Sequence, residues 1–311
     1  MSTAQRPVTV LPVPAQGAED VVVADNGLVF TGTEDGSVFA VRPDGNGVNL
    51  VGSTGGRPLG IELLGDDRLL IADAHHGLLA MEIATGDTET LVDAVDGRPL
   101  VFCNNAAVAA DGDIWFSDSS TLFGIEKWKN DFVQNTRTGR LFRLSADGTV
   151  ETHLDGLAFA NGVALAADES YVAVAETAAR TVVRLWLTGP RAGERDLLCA
   201  DLPGYPDNIA RGSDGLIWVS IASPVDPLVE RLQRAPLALR KVVTAVPEAL
   251  QPKPKQTVRA MAFADDGTLV HDVSGDVSGF HMVTGVREHD GQLWLGSLHE
   301  PAVAVISVRG D

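Results

Sequence analysis

The sequence predicts an all-β protein: a six-bladed β-propeller with four-stranded antiparallel blades and a central metal channel. Three observations predict it. A short apolar run opens six times at the same register, at Glu19, Leu59, Asn104, Asn161, Asp207 and Thr284. Each opening leads through a polar turn into a second strand, read in turn as GLVFTG, RLLIAD, DIWFSD, SYVAVAE, LIWVSI and QLWLGS. Asn-Gly and Asp-Gly pairs punctuate the chain from Asn26-Gly27 to Asp290-Gly291, and such pairs tolerate the positive φ of tight hairpins. A period of roughly forty residues with about four strands per unit is the propeller signature.

In chain order, blade one is expected near 17–56, blade two near 57–97 and blade three near 98–157. Blade four follows at about 158–203, blade five at about 204–277, and blade six takes the rest. The six openings are spaced 40, 45, 57, 46 and 77 residues apart, by subtraction of their positions, and the two long intervals mark insertions. One, at about 120–138, holds TLFGIEKWKNDFVQNTRTG; the other, at about 223–256, is rich in Pro and Leu. In the second, Leu228 and Leu232 sit at helical spacing, which predicts short helices broken by Pro. Each insertion follows a second strand, which runs back toward the face where the first strand began. Both are therefore expected to cap a pocket on that face. Val8 to Val13 is expected to close the ring beside the last apolar run, Ala302 to Val308, and so remove exposed strand edges.

Composition narrows the partners. With 24 Lys and Arg against 42 Asp and Glu, the formal charge is −18, and no long basic run exists. Nucleic-acid binding is excluded, because phosphate neutralisation needs clustered Lys and Arg. The opening MSTAQRPVTVLPVP lacks the basic-then-apolar pattern of a signal peptide, and no apolar stretch reaches membrane-span length. Cys103 and Cys199, the only cysteines, sit among apolar neighbours and read as small buried hydrophobes. The expectation is a reduced, cytoplasmic protein acting on a small molecule, with neither nucleic acid nor membrane as partner. Its oligomeric state is not encoded in these features.

In a propeller the first strand of each blade lines the channel, so the openings converge on one axis. Four of the six carry metal-capable oxygens: Glu19, Asn104, Asn161 and Asp207. Two carboxylates and two carboxamides suit Ca²⁺, a hard cation that takes six to eight oxygen ligands, and leave positions for water and substrate. With no His or Cys among them, Zn²⁺ is disfavoured. Leu59, Asn105, Trp128, His281 and Thr284 complete the expected pocket. His75-His76 and His289 read as hairpin residues, and Trp115, Trp218 and Trp294 as blade packing, because the tryptophans repeat at one second-strand position. Ser119 and Ser120 lack a nucleophile elbow. Asp118 and Glu176, which end second strands, are placed to support the ring from behind.

The segments GAEDVVVADNGLVFTG, FCNNAAVAADGDIWFSDSS, FANGVALAADESYVAVAET and GYPDNIARGSDGLIWVSI resemble the strictosidine synthase-like proteins, and more distantly the paraoxonases, gluconolactonases and diisopropyl fluorophosphatase. GRPLGI, IADAHHGLL, LPGYPDNI and VREHDGQLWLGSL extend the nearer resemblance over almost the whole chain. It implies a six-bladed propeller whose hydrolases hold a catalytic Ca²⁺ on the equivalents of Glu19, Asn104, Asn161 and Asp207. Asn208 matches a further paraoxonase ligand. Asp207 matches a candidate nucleophile or base.

Three departures stand out. Leu59 occupies the place of a paraoxonase catalytic His. Asn105 replaces an Asp that helps hold a second, structural calcium there, although Asp20 still matches one of its ligands. Thr284 stands where strictosidine synthases carry the acidic Glu of their amine–aldehyde condensation, four residues before Glu288. The resulting expectation is a calcium-dependent hydrolase of lactones or other carboxylic esters. A strictosidine synthase-like (Pictet–Spengler) condensing enzyme and a non-catalytic, calcium-stabilised binding propeller are the alternatives.

Overall fold

A computed structural model describes residues 4–246, 255–275 and 277–308. Six antiparallel blades of four meandering strands follow one another, and a two-stranded ribbon, Ala94–Val95 with Arg98–Pro99, lies between the second and third. Blade one runs through Val21–Val23, Val29–Gly32, Ser37–Val41 and Val48–Ser53, and blade two through Pro58–Leu64, Arg68–Asp73, Gly77–Glu82 and Thr88–Val92. Blade three comprises Cys103–Val108, Ile114–Asp118, Gly139–Leu144 and Val150–Leu157. Blade four comprises Ala160–Leu165, Tyr171–Glu176, Thr181–Trp186 and Arg195–Cys199. Blade five is built from Gly204–Arg211, Ile217–Pro224, Val258–Phe263 and Leu269–Gly275. Blade six takes Val283–His289, Gln292–Ser297 and Ala302–Ser307, and the chain start supplies its outer strand, Thr9–Pro12, antiparallel to Ala302–Ser307.

The ring closes as the sequence predicts, with one strand more. Ala4–Arg6 adds in parallel to Leu269–Gly275, so blade five has five strands and the chain start fastens two blades at once. Gly27, Gly36, Gly45, Gly112, Gly148, Gly215, Gly267 and Gly291 of the Asn-Gly and Asp-Gly hairpins have positive φ, which is why those pairs located the turns correctly.

Between each pair of neighbouring blades lies one apolar cluster. Phe30 and Met81 join blades one and two, Phe116 and Leu70 join two and three, and Tyr171 and Ile217 join four and five. Trp115, Trp218 and Trp294 sit in three of these seams and are almost fully buried, so their repetition is packing. A seventh cluster lies outside the seams: Leu59, Phe102, Phe132, Phe159 and Tyr205 pack together under the insertions.

The insertions form three short helices. Helix α1 (Trp128–Gln134) lies in the first, preceded by a 3-10 turn at Ile125–Lys127. Helices α2 (Pro227–Gln233) and α3 (Leu237–Thr244) lie in the second, separated by Pro236 as the proline spacing predicts. Helix α1 has no counterpart in the helices expected from the sequence pattern. The three helices hold one another: Gln134 Nε2 donates to Thr244 Oγ1 at 2.8 Å, and Gln233 Nε2 donates to the Phe132 carbonyl at 2.9 Å. The 247–254 part of the second predicted insertion lies outside the described residues. No helix among the described residues is long and apolar enough to cross a membrane. Both cysteines are free thiols; Cys103 is buried and Cys199 half-buried.

Candidate active site

All six opening residues line one cavity: Glu19, Leu59, Asn104, Asn161, Asp207 and Thr284. The alignment of six short motifs thus translates into convergence at one end of the channel. Strand pairing explains how five of the six openings present their side chains. Register slips between Pro58 and Gly60, Cys103 and Ala106, Ala160 and Val163, Pro206 and Ile209, and Val283 and Val286. Such irregularities re-aim side chains, so consecutive residues can both serve the axis instead of alternating away from it.

The four oxygen-bearing residues form the cavity floor. Asn104 Oδ1 and Asn161 Oδ1 are buried and have no hydrogen-bond partner. Asn161 directs its nitrogen elsewhere, donating to Thr177 Oγ1 at 3.1 Å. Burial and the nearby Asp207 carboxylate raise the pKa of Glu19 well above its ordinary range. Burial likewise pushes Asp207 up to about 7. Two crowded carboxylates lie beside two unsatisfied carbonyl oxygens, with the Arg57 cation next to Glu19. The donor set fits a hard divalent cation.

A second layer lies directly beneath, and sequence reasoning missed its logic. The residue after each opening is polar in blades one, three and five (Asp20, Asn105, Asn208) and glycine in blades two, four and six (Gly60, Gly162, Gly285). Asn105 Nδ2 donates to Asp20 Oδ2 at 3.2 Å and Asn208 Oδ1 at 3.0 Å, while its own Oδ1 accepts from Val163 N at 2.9 Å. Asn208 Nδ2 donates to Glu19 Oε2 at 3.4 Å. The glycines make room for this triad. A Cβ on Gly162 would lie 2.1 Å from Ile209 N, and one on Gly60 or Gly285 would strike the backbone at Asn105 or Asp20. Gly162→Ala is expected to destabilise the fold by about 3 kcal/mol, the upper part of the overpacking range, because backbone cannot yield as a side-chain tip can. A melting temperature within about 2 °C of the parent, by calorimetry, would contradict this account.

Asn105 and Asn208 therefore sit below the cavity and outside its wall, and the Asn208 oxygen is engaged with Asn105. The residues do not fit a second cation here. Asp20 Oδ2 already receives Ile61 N at 3.2 Å as well as Asn105, and Arg287 brings positive charge toward Asp20. Arg287 Nη2 pairs with Glu62 Oε2 at 2.7 Å on the far side of this layer. The Asn105 amide thus takes up the Asp20 oxygen that the paraoxonase resemblance gives to a structural calcium, and Arg287 supplies positive charge nearby.

Other predicted residues fall into place. Trp128 lines the cavity. His281 does not; its Nδ1 is held by Glu300 Oε1 at 2.5 Å, and only the adjacent Met282 reaches the wall. His75 lies in an exposed turn and bonds Glu126 of the first insertion at 2.6 Å. Asp118 Oδ1 accepts from Phe102 N at 2.7 Å and Glu176 Oε1 from Ala158 N at 2.8 Å. These carboxylates tie down the backbone leading into Asn104 and Asn161. Ser119 Oγ donates to the Ala160 carbonyl at 2.6 Å, a structural role. Arg57, not singled out by the sequence reading, is a buried cation beside Glu19; it donates to the Gly17 carbonyl at 3.4 Å. A charge inside the otherwise apolar GRPLGI opening was the available signal.

The family described as SMP-30/Gluconolactonase/LRE-like region matches residues 18–242. The chain belongs to this family. A strictosidine synthase-like protein (number 10) of Arabidopsis thaliana is 35% identical over 269 residues, covering 80% of this chain and 69% of that one. The adipocyte plasma membrane-associated protein of Gallus gallus is 31% identical, covering 94% of this chain and 76% of its own. The family fold is seen in solved structures as well. A gluconolactonase from Xanthomonas campestris superposes with a TM-score of 0.70 at 17% identity, covering 96% of this chain and 89% of that one. The calcium-binding protein regucalcin from Agrobacterium tumefaciens does so at 0.67 and 13%, covering 100% and 98%. Within the family this chain is strictosidine synthase-like, with Leu59 and Thr284 at two of its six openings.

Proposed function

We propose that this protein is a Ca²⁺-dependent hydrolase of lactones or other carboxylic esters. The observation that carries the reading is the pair of buried, unpartnered amide oxygens of Asn104 and Asn161, which face the same cavity as Glu19 and Asp207. Those four residues would hold the cation. Bound there, Ca²⁺ supplies Lewis-acid polarisation of a carbonyl and charge for the oxyanion that develops. Asp207 supplies the reacting carboxylate, taking a proton from water as a base or attacking the carbonyl as a nucleophile. Arg57 offsets the charge of Glu19, and the apolar wall excludes bulk water. The names of the gluconolactonase and of regucalcin as a calcium-binding protein agree with this reading.

The strictosidine synthase-like relatives favour condensation of an amine with an aldehyde as the second reading. The site argues against it. Thr284 donates its hydroxyl to the Glu19 carbonyl at 2.8 Å, and the nearby Glu288 is consumed by Ser213, Asp214 and Gly291 in a hairpin contact.

The test is turnover of a lactone and aryl-ester panel, with an amine–aldehyde pair alongside, before and after chelation. The expected result is hydrolysis lost with chelator and restored by Ca²⁺, with one Ca²⁺ bound per chain by equilibrium dialysis. Condensation without hydrolysis would replace the reading. Ca²⁺ binding without turnover of any substrate would make this a binding propeller.

A further inference from the structure

We infer that the cavity selects esters or lactones bearing an alkyl or aryl substituent and discriminates against polyhydroxylated sugar lactones. The inference rests on the hydrolase reading for its reaction, and on the wall alone for its selectivity.

Oxygen ligands are confined to the floor. Above it, the wall is built from Trp128, Phe132, Phe159, Tyr205, Val229 and Leu232, contributed by blades four and five and by helices α1 and α2. The rings support one another: Phe132 meets Tyr205 edge-on with centroids 4.8 Å apart, and Trp128 lies 6.1 Å from Phe132. Together they form an apolar surface above the floor.

Lys129 and Ser223 also line the cavity, but several other polar groups on that wall are already occupied. Thr177 Oγ1 receives Asn161, Thr284 donates to Glu19, and Thr244 Oγ1 receives Gln134. Tyr205 Oη accepts from Asp226 N at 3.2 Å, and Asp226 Oδ1 accepts from Leu228 N at 2.8 Å as the cap of α2. A polyol placed here would lose water from several hydroxyls and gain few partners in return, a net cost for each buried group. An alkyl or aryl group would exchange water for carbon contacts, worth about 0.8 kcal/mol per buried methylene, a three- to fourfold gain in each step. Cavity space of about 170 Å³ suits a small molecule and not a polymer.

The measurement is kcat/KM in saturating Ca²⁺ for γ-lactones with substituents from none to hexyl, beside glucono-δ-lactone. The expected result is a rise of about threefold per methylene over the first few, with glucono-δ-lactone at least about 100-fold below the hexyl lactone. A flat series, or a sugar lactone equal to or better than the hexyl lactone, would overturn the inference. In Trp128→Ser, and separately in Val229→Ser on α2, the ratio of hexyl to unsubstituted kcat/KM is expected to fall about tenfold. An unchanged ratio in both folded variants would overturn it too. If no lactone is turned over, the hydrolase reading fails separately, and binding decides selectivity. The hexyl γ-lactam, which offers the same carbonyl without being cleaved, should bind tighter by calorimetry than gluconolactam. The reverse order, or no binding of the hexyl compound, would sink the inference.

Discussion

Asp207→Asn is expected to abolish turnover while making the ion-free protein more stable. On the rate side, losing a positioned base costs about 10²–10⁴-fold in kcat, and the amide also weakens cation binding by removing one of two anionic ligands. On the stability side, burial pushes the Asp207 pKa up to about 7 from an ordinary 3.8, so the folded state holds a proton that the unfolded chain has released. Between those values the folded state binds more protons than the unfolded one, and stability falls as pH rises. Asp20, also pushed to about 7 by burial, and Glu19, raised by burial and by Asp207, act in the same direction. The carboxamide of the variant would carry no charge to bury. In chelator, the melting temperature of the variant should therefore exceed that of the parent at about pH 8, and the gap should close toward about pH 4. The lowered pKa values of His153 and His299 work in the opposite direction but cancel between two proteins that share them. Ca²⁺ should then stabilise the parent far more than the variant, since the ion binds the ionised carboxylate. Scanning calorimetry across pH, with and without Ca²⁺, checks all of this. A variant as active as the parent, or one less stable than the parent at the alkaline end in chelator, would refute this assignment of Asp207.

Arg287→Met is expected to cost about 2–4 kcal/mol, roughly 3–6 °C in melting temperature for a chain of this length. Arg287 pairs with Glu62 at 2.7 Å and raises positive potential at Asp20, and both partners of the ion pair are only slightly exposed, at 17% and 19%. Removing the guanidinium strands two carboxylates in the channel, and stranding a buried charge costs more than the pair itself contributes. The residual exposure of the pair keeps the expectation below the full cost for a dry site. The double variant Glu62→Met, Arg287→Met should recover part of the loss, leaving Asp20 as the remaining unpaired group. A single variant melting within about 2 °C of the parent would show that Arg287 is not the internal counter-charge of the second layer.

The two variants probe successive levels of one channel, and the difference between the levels explains what could be read in advance. The upper level was legible because its signal is repetition: one residue type, oxygen-bearing, at equivalent places in blades one, three, four and five. Trp115, Trp218 and Trp294 were legible for the same reason, and their seams are where the repetition placed them. The lower level was equally periodic, polar alternating with glycine from Asp20 to Gly285, but its meaning depends on neighbouring blades interlocking across the axis. Asn105 reads as pocket wall in the sequence, whereas the register slip beside it turns its amide toward Asp20 and Asn208. His281 reads as a cavity neighbour by its distance in sequence from Thr284, yet an ion pair with Glu300 holds it aside.

The sequence by itself determined the blade count, the hairpins, the ring closure by the chain start and the six residues that meet at the channel end. These follow from local pattern and from the arithmetic of a repeating unit, which needs no knowledge of distant contacts. Tertiary structure alone decided which oxygens remain unpartnered, which amide nitrogens fill a second metal position, and how three short helices build an apolar wall over the floor. Hydrogen-bond satisfaction and packing are properties of groups brought together from far apart in the chain, and no periodicity along one strand records who the partner will be.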